Sequence, residues 1–204
     1  SYEGVCEKDM TSKYVCPGFI DGHIHLESSM VAPTEFEKAV LPHGTTAVIT
    51  DPHEIANVAG SRGIDFMLKY TEDMTMDVFF VVPSCVPATA LDESGACLEA
   101  EDIAPFYSNP RVIGLAEMMN SFGVNQADPA ILDKIHVTLE HGGIIDGHAP
   151  LLSGRELYGY VAAGIRSDHE CSNADEAKEK FARGQWIMIR EGTAAHNLDA
   201  LLPL

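Results

Sequence analysis

Val15-Cys16-Pro17-Gly18-Phe19-Ile20-Asp21 leads directly into Gly22-His23-Ile24-His25. A short, mostly apolar run that ends in polar, metal-capable side chains reads as a strand buried on both faces, with its C-terminal end at a functional surface. The pattern recurs. Apolar runs at residues 15–21, 45–50, 78–83, 112–116, 143–146, 164–166 and 186–189 predict seven short strands. Between them apolar residues return at three- and four-residue spacing, as at Phe36, Val40 and Leu41, at Ile64, Met67 and Leu68, and at Ile131, Ile135 and Leu139. That is the helical period. Pro33-Thr34-Glu35, Asp128-Pro129 and Ser172-Asn173-Ala174-Asp175 offer N-caps or first-turn prolines, and Gly44, Gly142, Gly164 and Gly184 follow the helical stretches as stop signals.

Near-continuous apolar strands alternating with helices specify a parallel α/β sheet. The polar residues then choose between an open sheet and a closed barrel. Asp21-Gly22-His23-Ile24-His25, Thr50-Asp51-Pro52-His53-Glu54, Glu117, Asp146-Gly147-His148, Ser167-Asp168-His169-Glu170 and Arg190-Glu191 each end a strand. A barrel gathers such ends at one mouth, where barrel enzymes carry their chemistry, whereas an open sheet spreads them along an edge. Neither a G-x-G-x-x-G nor a G-x-x-x-x-G-K-[ST] fingerprint is present to argue for a nucleotide-binding open sheet. The expected fold is α/β, a (β/α)8 TIM barrel with about seven βα units legible and no eighth. The 204 residues sit at the floor of about 200 for such a barrel.

Composition sets the outer limits. With 46% hydrophobic and 22% charged residues, the chain can bury a real core. Thirteen lysines and arginines stand against 31 aspartates and glutamates, a net charge of −18. That field repels phosphate backbones and anionic lipid, which argues against nucleic-acid and membrane partners. No apolar run approaches the roughly 20 residues of a membrane helix, and Ser1-Tyr2-Glu3-Gly4 lacks the features of a signal peptide, so a cytoplasmic location is expected. The five cysteines, Cys6, Cys16, Cys85, Cys97 and Cys171, are odd in number and irregularly spaced. They are expected to be mostly buried small apolar groups rather than a disulfide frame or a zinc site.

Two histidines one residue apart at a strand end point to the same side, so His23 and His25 can reach one divalent ion through nitrogen. Exposed histidines would show the same spacing; the buried strand before these two favours the metal. His148 and His169 end later strands and can complete that site or hold a second ion. Glu117 ends the strand at residues 112–116, where a bridging carboxylate would offset the repulsion between two cations. Asp51, His53, Glu54 and Glu27 are either groups that orient the ligand histidines or an accessory metal site. His43, His136, His141 and His196 read as exposed or helix-end residues. Ser84-Cys85-Val86-Pro87 and Met118-Met119-Asn120 follow strands and are expected to line the mouth.

Pro17-Gly18-Phe19-Ile20-Asp21-Gly22-His23-Ile24-His25 resembles the first-strand motif of the amidohydrolase superfamily of metal-dependent barrel hydrolases. A longer set narrows the resemblance. Leu26-Glu27-Ser28-Ser29-Met30, Leu41-Pro42-His43-Gly44-Thr45-Thr46, Asp51-Pro52-His53-Glu54-Ile55-Ala56-Asn57-Val58 and Pro83-Ser84-Cys85-Val86-Pro87-Ala88-Thr89 are followed by Glu117-Met118-Met119-Asn120. Asp146-Gly147-His148-Ala149-Pro150, Ser167-Asp168-His169-Glu170-Cys171 and Ile189-Arg190-Glu191-Gly192 continue the order. Together, from about Val15 onward, they look like the adenine-deaminating branch found in bacteria and archaea. The resemblance implies hydrolysis of adenine to hypoxanthine and ammonia at a binuclear divalent centre of manganese or iron, with zinc as an alternative. It implies that His23 and His25 hold the more buried ion, His148 and His169 the more exposed one, and that Glu117 bridges them. Glu170 is the candidate proton shuttle, since the leaving amine must be protonated. The P-C-x-x-C signature of the cytidine-deaminase fold is absent. The family's eighth strand, which ends in a metal-binding aspartate, has no counterpart before Leu204, and its flanking β-sandwich could survive only as a remnant in residues 1–14, beside a partial barrel at 15–204. The chain therefore reads as a C-terminally truncated fragment of a protein expected to be a homo-oligomer. Two alternatives stay open: another amidohydrolase, such as a deacetylase or cyclic-amide hydrolase, and a non-catalytic metal-binding fragment.

Overall fold

The computed structural model describes residues 3–89, 91–193 and 195–204. Five strands, β1 (Phe19–Ile24), β2 (Thr45–Thr50), β3 (Asp77–Val82), β4 (Val112–Met118) and β5 (Ile144–Gly147), pair in sequence order, and every pair is parallel. β6 (Ser167–Asp168) and β7 (Trp186–Ile187) form a second parallel pair. Parallel neighbours require a crossover, and at least one helix follows each strand: α1 (Pro33–Val40), α2 (His53–Ala59) and α3 (Ser61–Tyr70), α4 (Ala100–Ile103), α5 (Ser121–Asn125) and α6 (Pro129–Glu140), α7 (Gly154–Ala162), α8 (Ala174–Ala182) and α9 (Leu198–Leu201). Among the described residues the seven expected βα units are present.

The sheet curls. Five strand spacings from β1 to β6 would span about 24 Å if flat. Instead the His23 ring, in β1, stacks on the His169 ring just beyond β6, with centroids 3.8 Å apart. Alternation along the strands divides the apolar residues between the two faces of that curl. Val48, Phe80 and Val82 are buried in the main core with Ile64, Met67, Leu68, Ile103 and Ile135 of the helices. Their neighbours Ile49 and Val81 instead line a cavity of about 480 Å³ inside the curl, together with Gly22, Asp146, Ser167 and Met188.

Three expectations need correction. The first strand runs over Phe19–Ile24 rather than residues 15–21, because only from Phe19 does the backbone meet β2, and it is not buried on both faces as expected: as an edge strand it leaves Phe19 and Ile20 67% and 66% exposed. His23 therefore lies within the strand and His25 just past it. The sixth strand, expected at 164–166, is Ser167–Asp168: Gly164, at φ +103°, is still the turn that ends α7, and Ile165 is a buried core residue. The seven strands split five and two, joined across the split by the Arg166 N–H donating to Ile145 O at 3.1 Å. The cysteines depart as well. Cys85 and Cys171 are buried, but Cys6, Cys16 and Cys97 are exposed. Cys6 and Cys16 belong to the exposed leading segment, and Cys97 sits beside Glu99 with nothing apolar to cover it. Among the described residues no helix is long and apolar enough to cross a membrane.

Candidate metal centre

The curl brings the polar strand ends to one place. His23 Nδ1 donates to Asp146 Oδ2, at the end of β5, at 2.8 Å. His25 Nδ1 donates to the Asp51 carbonyl at 3.0 Å. In the neutral rings these bonds select, with the proton on Nδ1, each Nε2 carries only a lone pair, and the two Nε2 atoms face one another at 3.3 Å. Glu117 stands behind them, with Oε2 4.0 Å from His23 Nε2 and Oε1 3.7 Å from His25 Nε2. Converging lone pairs and a buried carboxylate repel unless a cation lies between them. The donor set of imidazoles and carboxylates suits a borderline or hard divalent ion.

Glu117 is the hub. It is buried at the end of β4, and its backbone carbonyl accepts from Ser84 Oγ at 2.6 Å. Oε2 meets His148 Nδ1 at 2.7 Å and His169 Nε2 at 2.9 Å, and these two nitrogens are 3.4 Å apart. Oε1 meets His53 Nδ1 at 3.2 Å. Burial raises the Glu117 carboxyl, but hydrogen bonds from His148, His169 and His53 outweigh it and hold it well below the usual carboxylate range. Asp51 Oδ2 receives His53 Nδ1 at 2.8 Å. Burial lowers the His53 imidazole, yet its bonds to Asp51 and Glu117 prevail and push it up to about 10. Glu170 Oε1 lies 3.6 Å from His148 Nδ1 and 3.5 Å from His169 Nε2, and Arg190 holds it at 2.8 Å.

All six site residues singled out in the sequence, His23, His25, Glu117, His148, His169 and Glu170, thus converge. Three sets could each hold an ion: His25, Asp51, His53 and Glu117; His23, Glu117 and His169; and His148, His169 and Glu170. Asp51 and His53 join the cluster directly. Glu54 and Glu27 do not: Glu54 takes the Ser28 hydroxyl, and Glu27 accepts from the Ile55 N–H at 3.2 Å, near the start of α2. His43, His136, His141 and His196 are exposed and away from the cluster, as expected. Of the mouth segments, Ser84 and Met118 touch the site's supports. The buried Tyr160 hydroxyl donates to Met118 O at 2.6 Å and accepts from the His148 N–H at 3.0 Å, tying β4 to β5. Gly147 in turn permits the close approach of β5 to β6, since a Cβ there would lie 2.1 Å from Ser167 O.

Sequence reasoning missed the orienting role of Asp146, the grip of Arg190 on Glu170, and Tyr160. Asp146 was visible as a strand-end acid, but its pairing with a residue 123 positions away had no local signal.

A curled parallel βα sheet with imidazoles and carboxylates gathered at the strand ends has the architecture of a barrel fold with a candidate metal site at its mouth. The Amidohydrolase family model matches residues 14–202, and the chain belongs to that family, which implies a divalent metal centre. Its relatives are more particular. Over 201 residues it is 52% identical to an adenine deaminase of Clostridium acetobutylicum, covering 98% of this chain and 35% of that protein. Over 204 residues it is 52% identical to an adenine deaminase of Oceanobacillus iheyensis, covering 100% of this chain and 35% of that one. The chain thus spans about a third of the length of these curated relatives.

Proposed function

We propose that this chain supplies the metal-binding part of a cytoplasmic enzyme that hydrolyses adenine to hypoxanthine and ammonia. The observation that carries the reading is the convergence of five imidazoles on the buried Glu117 carboxylate, in a chain half identical to adenine deaminases over its whole length. His23 and His25 would hold one ion, His148 and His169 the other, and Glu117 both. Manganese or iron fits the nitrogen-and-oxygen donor set. When bound, the ions would supply a water acidified from a pKa of 15.7 toward about 7, ready to attack at neutral pH.

The remaining work falls to the chain's own groups. Asp146 and the Asp51 carbonyl fix the tautomers of His23 and His25, so that their Nε2 lone pairs face inward. Glu170, steadied by Arg190, is placed to take a proton from the attacking water and return it to the exocyclic nitrogen. The new C6–O bond then persists, the C6–N bond breaks, and ammonia leaves. In the same reading residues 15–204 form the barrel portion and 1–14 lead toward a separate β-sandwich. The exposure of residues 3–18 supports a place for them outside the barrel.

The test is ammonia release from adenine by the protein carrying this sequence, loaded with manganese, beside an N-acetyl substrate and a cyclic amide. Adenine turnover that collapses in His23→Ala supports the proposal. Unchanged turnover in His23→Ala, or cleavage of the other substrates without ammonia from adenine, defeats it.

A further inference from the structure

Lys180, on α8 and outside the cluster around Glu117, is completely buried: its side chain is 0% exposed. Its ammonium has three donors, and all three are used. Nζ donates to Asp168 Oδ2 at 2.9 Å, to Glu176 Oε1 at 2.7 Å and to the Ala149 carbonyl at 2.6 Å. The two acids are spoken for in turn. Asp168, also 0% exposed, accepts from the Ala149 N–H at 3.1 Å through Oδ2 and from the Glu170 N–H at 2.6 Å through Oδ1. Glu176 accepts from the Leu151 N–H at 2.7 Å, and from the Ser172 N–H and hydroxyl, each at 3.1 Å.

The contacts fall on two short segments and little else. Ala149 and Leu151 follow His148; Asp168, Glu170 and Ser172 alternate with His169 and Cys171. These segments leave the ends of β5 and β6, the two strands between which the sheet assignment breaks. A continuous ladder of backbone hydrogen bonds would fix their spacing, but across the break the described residues show one backbone–backbone bond, Arg166 to Ile145, with the Ser167 hydroxyl donating to the Asp146 carboxylate and the Lys180 network beside it. A fully satisfied buried network is rigid, because each member left unpaired would incur the full cost of its desolvation.

We propose that Lys180 is a positioning residue that, through Asp168 and Glu176, sets the separation of His148 and His169 and thereby the affinity of the ion these two would share. The inference rests on the metal-centre reading above and adds to it a residue that touches neither ion nor substrate. The groups facing the ammonium are Asp168, Glu176 and the Ala149 carbonyl. Replacing Lys180 with methionine leaves two carboxylates buried beside one another without a cation, and the two segments must part to hydrate them. An orienting partner of a metal ligand governs affinity by 10- to 100-fold on removal.

The experiment is stepwise manganese binding to metal-free protein carrying this sequence, competed against a chelator, with near-ultraviolet circular dichroism to confirm folding. Lys180→Met should weaken the ion whose affinity depends on His148 by about 10- to 100-fold and leave the ion that depends on His23 within about threefold. Ala177→Gly, a packing change on the same helix, should lower the melting temperature and leave both affinities alone. A folded Lys180→Met protein that holds both ions as wild type does, or an equal loss in Ala177→Gly, overturns the proposal. Should Lys180→Met fail to fold, Glu176→Gln decides: a weakened His148-dependent ion supports the role and unchanged binding refutes it. Failure of the metal-centre reading looks different, since the unaltered protein would then bind no ion that His148→Ala releases.

Discussion

The five-stranded and the two-stranded parts of the curl are held together by different physics. β1 to β5 rest on a broad apolar core in which Phe80, Leu115 and Ile145 are each 1% exposed or less. The second part has a small cluster of Cys171, Ala177 and Leu201 with Ile187 against it, and beside it the buried Lys180, Asp168 and Glu176. Apolar burial is non-directional and tolerates small shifts, whereas hydrogen-bonded charges fix angles and distances. A metal site needs its donors placed to within a few tenths of an ångström. The part with little apolar area to spend therefore carries the directional network, and the ligands nearest to it are the ones that depend on its geometry.

Several substitutions can break or sharpen this contrast. Glu117→Ala removes the carboxylate on which both parts converge. In the proposed function, adenine turnover should fall by far more than the 100-fold expected for an orienting residue, and manganese-loaded protein should retain less metal in an elemental assay. Phe80→Ala and Lys180→Met test the two kinds of support directly. Each should destabilise by about 3–5 kcal/mol in urea unfolding, the first by leaving a cavity and the second by stranding buried charge. Only the second should also alter metal affinity in protein that remains folded; equal loss of metal in both variants would erase the distinction.

The network should also answer to acid. Burial raises the Glu176 carboxyl, but Lys180 and the N–H groups of Ser172 and Leu151 outweigh it and hold it below its usual value. A carboxyl depressed in the folded state adds stability that is fully present above its unfolded pKa of about 4.3 and is lost as pH falls through the folded value. Hydrogen exchange in α8 should accelerate below about pH 4.3, and Glu176→Gln should flatten that dependence. The smallest effect belongs to the exposed pair Lys38–Glu35, 2.6 Å apart with side chains 70% and 57% exposed. Lys38→Ala should leave the urea unfolding midpoint essentially unchanged, and a clear downward shift would show that surface charge matters more here than burial predicts.

Much of the centre was legible before any coordinates. His23 and His25 share a side because strands repeat every two residues, and Glu117, His148 and His169 follow short apolar runs that read as strands. Lys180 was not legible. Ala174-Asp175-Glu176-Ala177-Lys178-Glu179-Lys180 reads as a solvated helix face, and nothing local says that Glu176 and Lys180, one turn apart, are the charged pair turned inward while Lys178 is exposed. The expectation for Cys6, Cys16 and Cys97 failed for the related reason that burial belongs to a position, not to a residue type.

The sequence by itself determined the alternation of strand and helix, the parallel sheet, and the kinds of donor waiting at the strand ends. Periodicity and residue chemistry are local properties, and they survive without knowledge of any distant contact. Only the tertiary structure decided that β1 returns to within stacking distance of β6, that Asp146 orients His23, and that a buried lysine spans the two segments carrying His148 and His169. Those choices depend on how far the sheet curls, and curl is the sum of small twists between successive strands that no single stretch of sequence encodes.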